Sequence, residues 1–240
     1  MSVYMESRYK KVILKLSGES LANRDDARSI ESIGQEIDTV IRQGTQMGIV
    51  IGGGNIFRGH SHGEKSSSET RIKDDQIGML ATIINGLALS KIFAQIGLKT
   101  LIQSAIGIDG MVDRFSVENS TKFMESGGVV IFCAGTGNPY FSTDTAAALR
   151  ACELGADVLL KATTVDGIYD KNPKMDKNAK KLEKIDYIEA LSLGIAVMDF
   201  PAFALCKEND LNIIIFNMNI DGNIIKAIHG EQVGSIVGKF

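Results

Sequence analysis

Short apolar runs alternate along the chain with longer stretches in which apolar residues recur every three or four positions. Residues 12–16, 49–51, 99–103, 129–133, 157–161 and 212–216 predict strands, since short, continuously apolar, β-rich runs suit a sheet buried on both faces. Ile30, Ile33, Ile37, Val40 and Ile41 predict one buried face of a helix. Further helices are expected over 74–96, 117–125, 144–154, 187–193, 201–209 and 222–229. Thr143 or Asp144 is placed to cap the helix at 144–154. Asp74 and Asp75 fall at the expected start of the long helix, where carboxylates favour the positive end of the dipole. A ribose hydroxyl acceptor is the other reading of that pair. The charged stretch 169–181, which holds Pro173, reads as an exposed loop. Strand–helix alternation predicts an α/β fold with a mainly parallel central sheet. In such sheets ligands sit beyond the carboxyl ends of the strands.

The strand ends therefore carry the candidate chemistry. The first ends in Lys15-Leu16-Ser17-Gly18. A lysine in an apolar strand must reach water or an anion. It is either an edge-strand lysine or a point charge for phosphates, followed by a Ser-Gly turn whose N–H groups can bind them too. The second ends in Gly52-Gly53-Gly54-Asn55, with Arg58 close behind. Three successive glycines exceed what a turn needs and suggest close approach of a ligand to bare backbone, with Arg58 as a fork donor; a purely structural turn is the other reading. The fourth runs into Gly135-Thr136-Gly137-Asn138-Pro139-Tyr140-Phe141-Ser142-Thr143-Asp144, dense in small polar donors beside two aromatics. This segment resembles a pocket for a polar planar ligand. Asp144 either caps the next helix or orients Lys15 or a metal-bound water. Lys161 repeats the oddity of Lys15, and two strand-end cations make an anion site more plausible than one. Asp166-Gly167 is a turn signal, and Tyr169 either stacks on a base or covers the loop.

Composition narrows the classes. With 240 residues, 44% of them hydrophobic, the chain can fold as one globular domain, with or without two lobes. A net charge of -3 speaks against a dedicated nucleic-acid binder. Cys133, Cys152 and Cys206 are odd in number and widely spaced, which fits core thiols in a reducing cytosol rather than a disulfide framework or zinc site. His60 and His62 read as solvated loop residues. The N-terminal pattern is not that of a signal peptide, and the longest apolar stretch, 77–89, is short for a membrane span. The P-loop pattern G-x-x-x-x-G-K-[ST] is absent, and G-x-G-x-x-G fails at its last position at Phe57 and again at Tyr140. Glycine-rich strand ends, two lysines and an arginine suit phosphoryl transfer, in which the protein mainly positions groups and neutralises charge.

Several runs resemble those of bacterial UMP kinases, in the amino acid kinase superfamily: Leu14-Lys15-Leu16-Ser17-Gly18-Glu19, Ile51-Gly52-Gly53-Gly54-Asn55-Ile56-Phe57-Arg58-Gly59, Gly78-Met79-Leu80-Ala81-Thr82, Ala134-Gly135-Thr136-Gly137-Asn138-Pro139, Leu160-Lys161-Ala162-Thr163, Val165-Asp166-Gly167, Val197-Met198-Asp199 and Phe216-Asn217-Met218-Asn219. The Gly-Thr-Gly-Asn-Pro and Phe-Asn-Met-Asn runs are the most specific to UMP kinases. The resemblance implies a three-layer α/β/α sandwich and transfer of the γ-phosphoryl group of Mg-ATP to UMP, giving UDP and ADP in pyrimidine nucleotide biosynthesis. It also implies a cytoplasmic homohexamer inhibited by UTP, with no nucleic acid or membrane partner.

By the same resemblance, 1–240 is one kinase domain, with the UMP part mainly in 1–155 and the ATP part mainly in 156–240. Lys15, Arg58, Asp144 and Lys161 are the expected catalytic residues. Lys15, Leu16, Ser17, Gly18, Gly54, Arg58, Thr163, Tyr169 and Asn172 are expected on ATP. Gly53, Asp75, Thr136, Gly137, Asn138, Pro139, Tyr140, Phe141, Ser142 and Thr143 are expected on UMP. Asp144 and Asp199 match acidic positions near the phosphates. No residue is assigned as a direct metal ligand, the magnesium being held mostly by phosphates and water. Two departures stand out. Asn172 replaces an aspartate of many members and brings no charge. Residues 20–28 lack the glycine-rich stretch linked to GTP activation. Alternative readings are a kinase of another small acceptor on the same fold, or a non-catalytic nucleotide-binding regulatory module.

Overall fold

The computed structural model describes residues 7–21, 29–59, 67–171, 175–176, 178–192 and 197–240. Asn172, His60, His62 and most of the 20–28 segment lie outside them. In chain order the elements are β1 (Lys11–Leu16), a 3-10 turn (Gly18–Leu21), α1 (Ile30–Arg42), β2 (Gln46–Ile51), α2 (Ser68–Gln95), β3 (Thr100–Ser104), β4 (Asp113–Arg114) and α3 (Val117–Glu125). There follow β5 (Val129–Cys133), α4 (Thr143–Leu154), β6 (Val158–Thr163), β7 (Ile168–Tyr169), β8 (Lys181–Leu182), β9 (Lys184–Asp186), α5 (Tyr187–Ser192), α6 (Phe200–Glu208), β10 (Ile213–Asn217), α7 (Asn223–His229) and β11 (Ser235–Gly238).

Among the described residues nine strands form one sheet, in the order β4-β3-β5-β2-β1-β6-β10-β11-β9. Every pairing is parallel except β10 with β11. Alternate residues of the strands feed two separate cores. Val12, Leu14 and Leu16 pack with α1, α2 and α7, while Ile13, Val50 and Leu159 pack with α4, α5 and α6. The architecture is the expected three-layer α/β/α sandwich. Its strands are apolar on both faces because both faces are covered.

Four local expectations are corrected. Lys15 is not on an edge: β1 lies between β2 and β6 near the middle of the sheet. The long helix begins at Ser68, capped by the Ser67 hydroxyl accepting from Thr70 N, so Asp74 and Asp75 lie well inside it. At α4 the cap is Ser142, whose Oγ accepts from Asp144 N and Thr145 N, which frees the Asp144 carboxylate for another role. The stretch 169–181 expected to be an exposed loop is closed at its ends by strand pairing, Tyr169 standing opposite Lys181 in an antiparallel pair of two-residue strands.

Helix α2 is longer than the apolar run that marked it. By length and hydropathy alone it could cross a membrane, but 44% of its most apolar window is buried inside the molecule. Its outer face leaves Ile77, Leu80, Ile84 and Leu87 exposed, spaced three and four residues apart along one stripe.

Candidate active site

In β1 and β6, residues of one parity face α4. Along that face the rungs are Ile13 opposite Leu159 and then Lys15 opposite Lys161. The last rung thus replaces an apolar pair with two cations, at the height where α4 begins. Asp144, in the first turn of α4, meets both: its Oδ1 lies 3.0 Å from Lys15 Nζ and its Oδ2 2.5 Å from Lys161 Nζ. Side-chain exposure is only 12–14% for these three residues. Lys161 Nζ also donates to the Val197 carbonyl. Burial alone pushes the Asp144 carboxyl up, but Lys15 and Lys161 more than reverse this and hold it below its usual range. Burial pulls Lys161 down from the ordinary lysine value, and Lys15 acts in the same direction, against the opposing pull of Asp144. Asp199 stands in the same neighbourhood. It caps α6 by accepting from Ala202 N at 3.3 Å, and accepts from the Thr145 hydroxyl at 2.7 Å.

The turns after β1 and β2 interlock. A Cβ on Gly18 would come within 2.8 Å of Gly52 O and Gly54 N, and one on Gly52 within 2.9 Å of Gly18 N. A Cβ on Gly53 would lie 2.9 Å from Gly78 O and Ala81 Cβ of α2. These glycines are therefore required by chain-to-chain packing. Gly54 differs: the nearest atom to its Cβ position is Arg58 Nε at 3.9 Å. Of the triple glycine, Gly54 alone has its open side free of tight protein contact. Arg58 is exposed and its guanidinium pairs with Glu19. Ser17 Oγ lies 3.1 Å from Ser20 Oγ, which donates to Met218 Sδ at 3.4 Å, and Met218 N donates to Thr163 O. The ends of β1, β6 and β10 are thereby tied together, with Leu16 buried beneath them. Tyr169 donates its hydroxyl to Asp166.

A cleft of about 160 Å³ opens beside this centre, lined among others by Gly53, Gly54, Asp75, Thr136, Phe141 and Thr143. It brings together residues from the β2 turn, α2 and the β5–α4 loop. That loop is held in an uncommon conformation. Ala134 and Tyr140 both have positive φ, at 60° and 72°, which non-glycine residues adopt only when their surroundings enforce it. Ala134 N donates to Thr82 Oγ1 at 2.6 Å, and Tyr140 N to Asp75 Oδ2 at 2.7 Å. Thr136 Oγ1 accepts from Asn138 N at 3.2 Å, closing the Gly137 turn that leads to Pro139.

Two residues that hold the site, Asn85 and Thr82, were given no site role by sequence, although Thr82 closes one of the runs that carry the resemblance. Buried Asn85 donates to Gly52 O at 2.7 Å and exchanges hydrogen bonds with Asn55, so it fixes the glycine turn. Buried Thr82 anchors the start of the β5–α4 loop. The available signal was their polarity inside an otherwise apolar helix run, since a buried polar side chain needs a partner.

A parallel α/β sandwich with paired cations at its strand ends and an adjoining small-molecule cleft defines a phosphate-handling enzyme class. Residues 10–217 match the amino acid kinase family, and the chain belongs to that family. Within it the chain is similar to UMP kinases over nearly its whole length. It shares 36% identity with a UMP kinase from Ureaplasma parvum, covering 97% of this chain and 100% of the other, with a TM-score of 0.85. With a UMP kinase from Bacillus anthracis the figures are 33%, 96% of each chain and 0.88. With a uridylate kinase from Archaeoglobus fulgidus they are 27%, 95%, 100% and 0.70.

Proposed function

We infer that the chain is an ATP-dependent UMP kinase. The observation that carries this reading is the contiguity of the two half-sites. Thr143 lines the cleft, and the next residue, Asp144, binds both Lys15 and Lys161. A nucleotide phosphate in the cleft would lie beside a centre able to neutralise a polyphosphate. Similarity to UMP kinases over nearly the whole chain, at 36% and 33% identity, supports UMP as the acceptor.

In the reaction a phosphate oxygen of UMP forms the new bond to the γ-phosphorus. The bond from that phosphorus to the β–γ bridging oxygen breaks, its electrons stay on the departing ADP, and UDP is formed. An ionised phosphate needs no general base. Lys15 and Lys161 exchange Asp144 for phosphate oxygens, and the turn at Leu16, Ser17 and Gly18 together with Gly54 supplies backbone contacts to ATP. Arg58 swings from Glu19 to the transferred group. Thr163 and Tyr169 approach the ATP nucleoside, and Asn172 is a further contact of the resemblance. Gly53, Asp75 and Thr136–Thr143 hold UMP, Asp75 through the ribose. The UMP part lies mainly in 1–155 and the ATP part mainly in 156–240.

Among the described residues no group of three or more His, Cys, Asp or Glu gathers as a metal-binding set. A magnesium ion would arrive on ATP, held mostly by phosphates and water, with Asp144 placed to orient its water shell. When bound, the ion neutralises charge on the β- and γ-phosphates.

A cytoplasmic enzyme of pyrimidine nucleotide synthesis, assembled as a homohexamer and inhibited by UTP, completes the reading. The exposed stripe of Ile77, Leu80, Ile84 and Leu87 supports self-association through α2. The absence of the glycine-rich stretch in 20–28 argues against GTP activation. ADP release with UMP and Mg-ATP tests the activity: turnover only with glutamate or aspartate would assign the chain to another kinase of the family, and binding without turnover would make it a regulatory module.

A further inference from the structure

We propose that Arg71, outside the residues so far placed on either substrate, is a positioning residue for the acceptor nucleotide. It would act by clasping Asp75 to Tyr140 across the mouth of the cleft. The proposal rests on the reading of the cleft as the acceptor site.

Arg71 Nε lies 3.0 Å from Asp75 Oδ2, one helical turn away on α2. A cation N-terminal to an anion at this spacing is the weaker orientation for helix stability, so the pair is poorly explained as a helix staple. The same Oδ2 accepts from Tyr140 N at 2.7 Å, and the Arg71 guanidinium lies 5.5 Å from the centre of the Tyr140 ring. Arg71 thus contacts both ends of one link: the carboxylate that lines the cleft and the aromatic that begins its far wall. Tyr140 is half-exposed and sits at positive φ, so its conformation depends on contacts made after the chain has turned.

Two consequences follow. Asp75 Oδ2 is saturated by protein donors, leaving Oδ1 as the oxygen free to accept from a ligand hydroxyl. The positions of Phe141, Ser142 and Thr143, all on the cleft, are set by where Tyr140 is held. Loss of Arg71 would loosen both walls at the acceptor side and leave the Lys15–Asp144–Lys161 centre as it is.

The test is steady-state kinetics on Arg71→Met, Arg71→Lys, Tyr140→Ala and the double variant Arg71→Met/Tyr140→Ala, with hydrogen exchange followed at the residue 140 amide. Methionine is a good helix former and Arg71 is at the surface, so the fold is retained. Arg71→Met is expected to raise KM for UMP by about tenfold, with KM for ATP changed less than about twofold and kcat little altered. Arg71→Lys should recover part of the loss. The double variant should be no worse than the poorer single one, as for two members of one clasp, and the Tyr140 amide should exchange faster in Arg71→Met. An unchanged KM for UMP, equal rises for both substrates, multiplying effects in the double variant, or unaltered exchange would each overturn the proposal. If the wild-type chain does not use UMP at all, the acceptor reading fails, and the exchange measurement then decides the clasp alone.

Discussion

Lys15 and Lys161 stand opposite each other on adjacent parallel strands, and both ammonium groups close on the one carboxylate of Asp144. Two like charges on neighbouring rungs repel in a nearly dry setting, and only a shared anion makes the arrangement tenable. The centre therefore has to exchange one anion for another when a polyphosphate binds. Lys15→Ala is expected to lower turnover by at least about a hundredfold, the size of losing one preorganised electrostatic contact to the transition state. UMP binding, measured calorimetrically, should persist. Near-normal turnover in this variant would remove Lys15 from the mechanism.

Asp144→Asn should destabilise the ligand-free protein, since it takes away the one carboxylate that both buried lysines contact. Removing one partner of a buried ion pair costs about 3 kcal/mol or more. Urea denaturation measures this directly, and added inorganic phosphate should restore more stability to the variant than it adds to the wild type. Equal responses of the two proteins to phosphate would contradict the anion-exchange view.

The pH dependence follows from the same centre. The folded protein holds the Asp144 carboxyl below its ordinary value of 3.8. Below 3.8 the unfolded chain is the more protonated, so the Asp144 contribution is complete above that pH and is lost as pH falls through the lower folded value. The stability gap between wild type and Asp144→Asn should accordingly narrow under acid. Lys161 is held below its ordinary 10.5. Between its folded value and 10.5 the unfolded chain again binds more protons, so this term makes stability rise with pH there, while activity that needs the Lys161 charge falls. The alkaline limb of kcat/KM for ATP, which reports the free protein, is expected below pH 10.5, and a limb at or above it would argue against a role for that charge.

The triple glycine divides into packing and contact positions. Gly18→Ala should destabilise the fold, because its Cβ would press on the backbone of Gly52 and Gly54 at 2.8 Å. Gly54→Ala has room, with nothing nearer than 3.9 Å. It should leave the melting temperature within about 2 °C, consistent with a shift of under about 0.5 kcal/mol, yet raise KM for ATP. Matching stability losses in the two variants would show that Gly54 too is a packing residue.

Six strands and a mainly parallel sheet were legible because buried parallel strands read as continuous apolar runs and their strand ends as interruptions; the order of the strands in the sheet was not, because it is set by pairings between segments far apart in the chain. Lys15 and Lys161 stood out as such interruptions. Asp144 was legible only as two open readings, helix cap or partner of Lys15; the fold decides between them, because Ser142 takes the helix and Asp144 takes Lys15 and Lys161 together. The start of α2 was misplaced because its cap, Ser67, lies in a polar stretch ahead of the first apolar turn. Strand β11 escaped notice because it is short and holds Ser235 and Gly238, and β7 and β8 span two residues each. The contacts of Arg71 with Tyr140 join parts of the chain far apart in sequence, so no local pattern announces them.

Self-association through α2 has its own test. Replacing Ile84 with glutamate puts a charge in the middle of the exposed stripe while leaving the buried face of the helix untouched. Sedimentation should show the wild type as a large assembly and Ile84→Glu as a smaller species with an unchanged far-ultraviolet spectrum. An assembly unaltered by the charge would place the contact elsewhere.

The most direct test of the central claim is an acceptor panel: ADP release from Mg-ATP by the purified wild-type chain with UMP, CMP, dUMP, glutamate and aspartate. Turnover is expected with UMP above every other acceptor, with UDP as product. Turnover with glutamate or aspartate but none with UMP would contradict it.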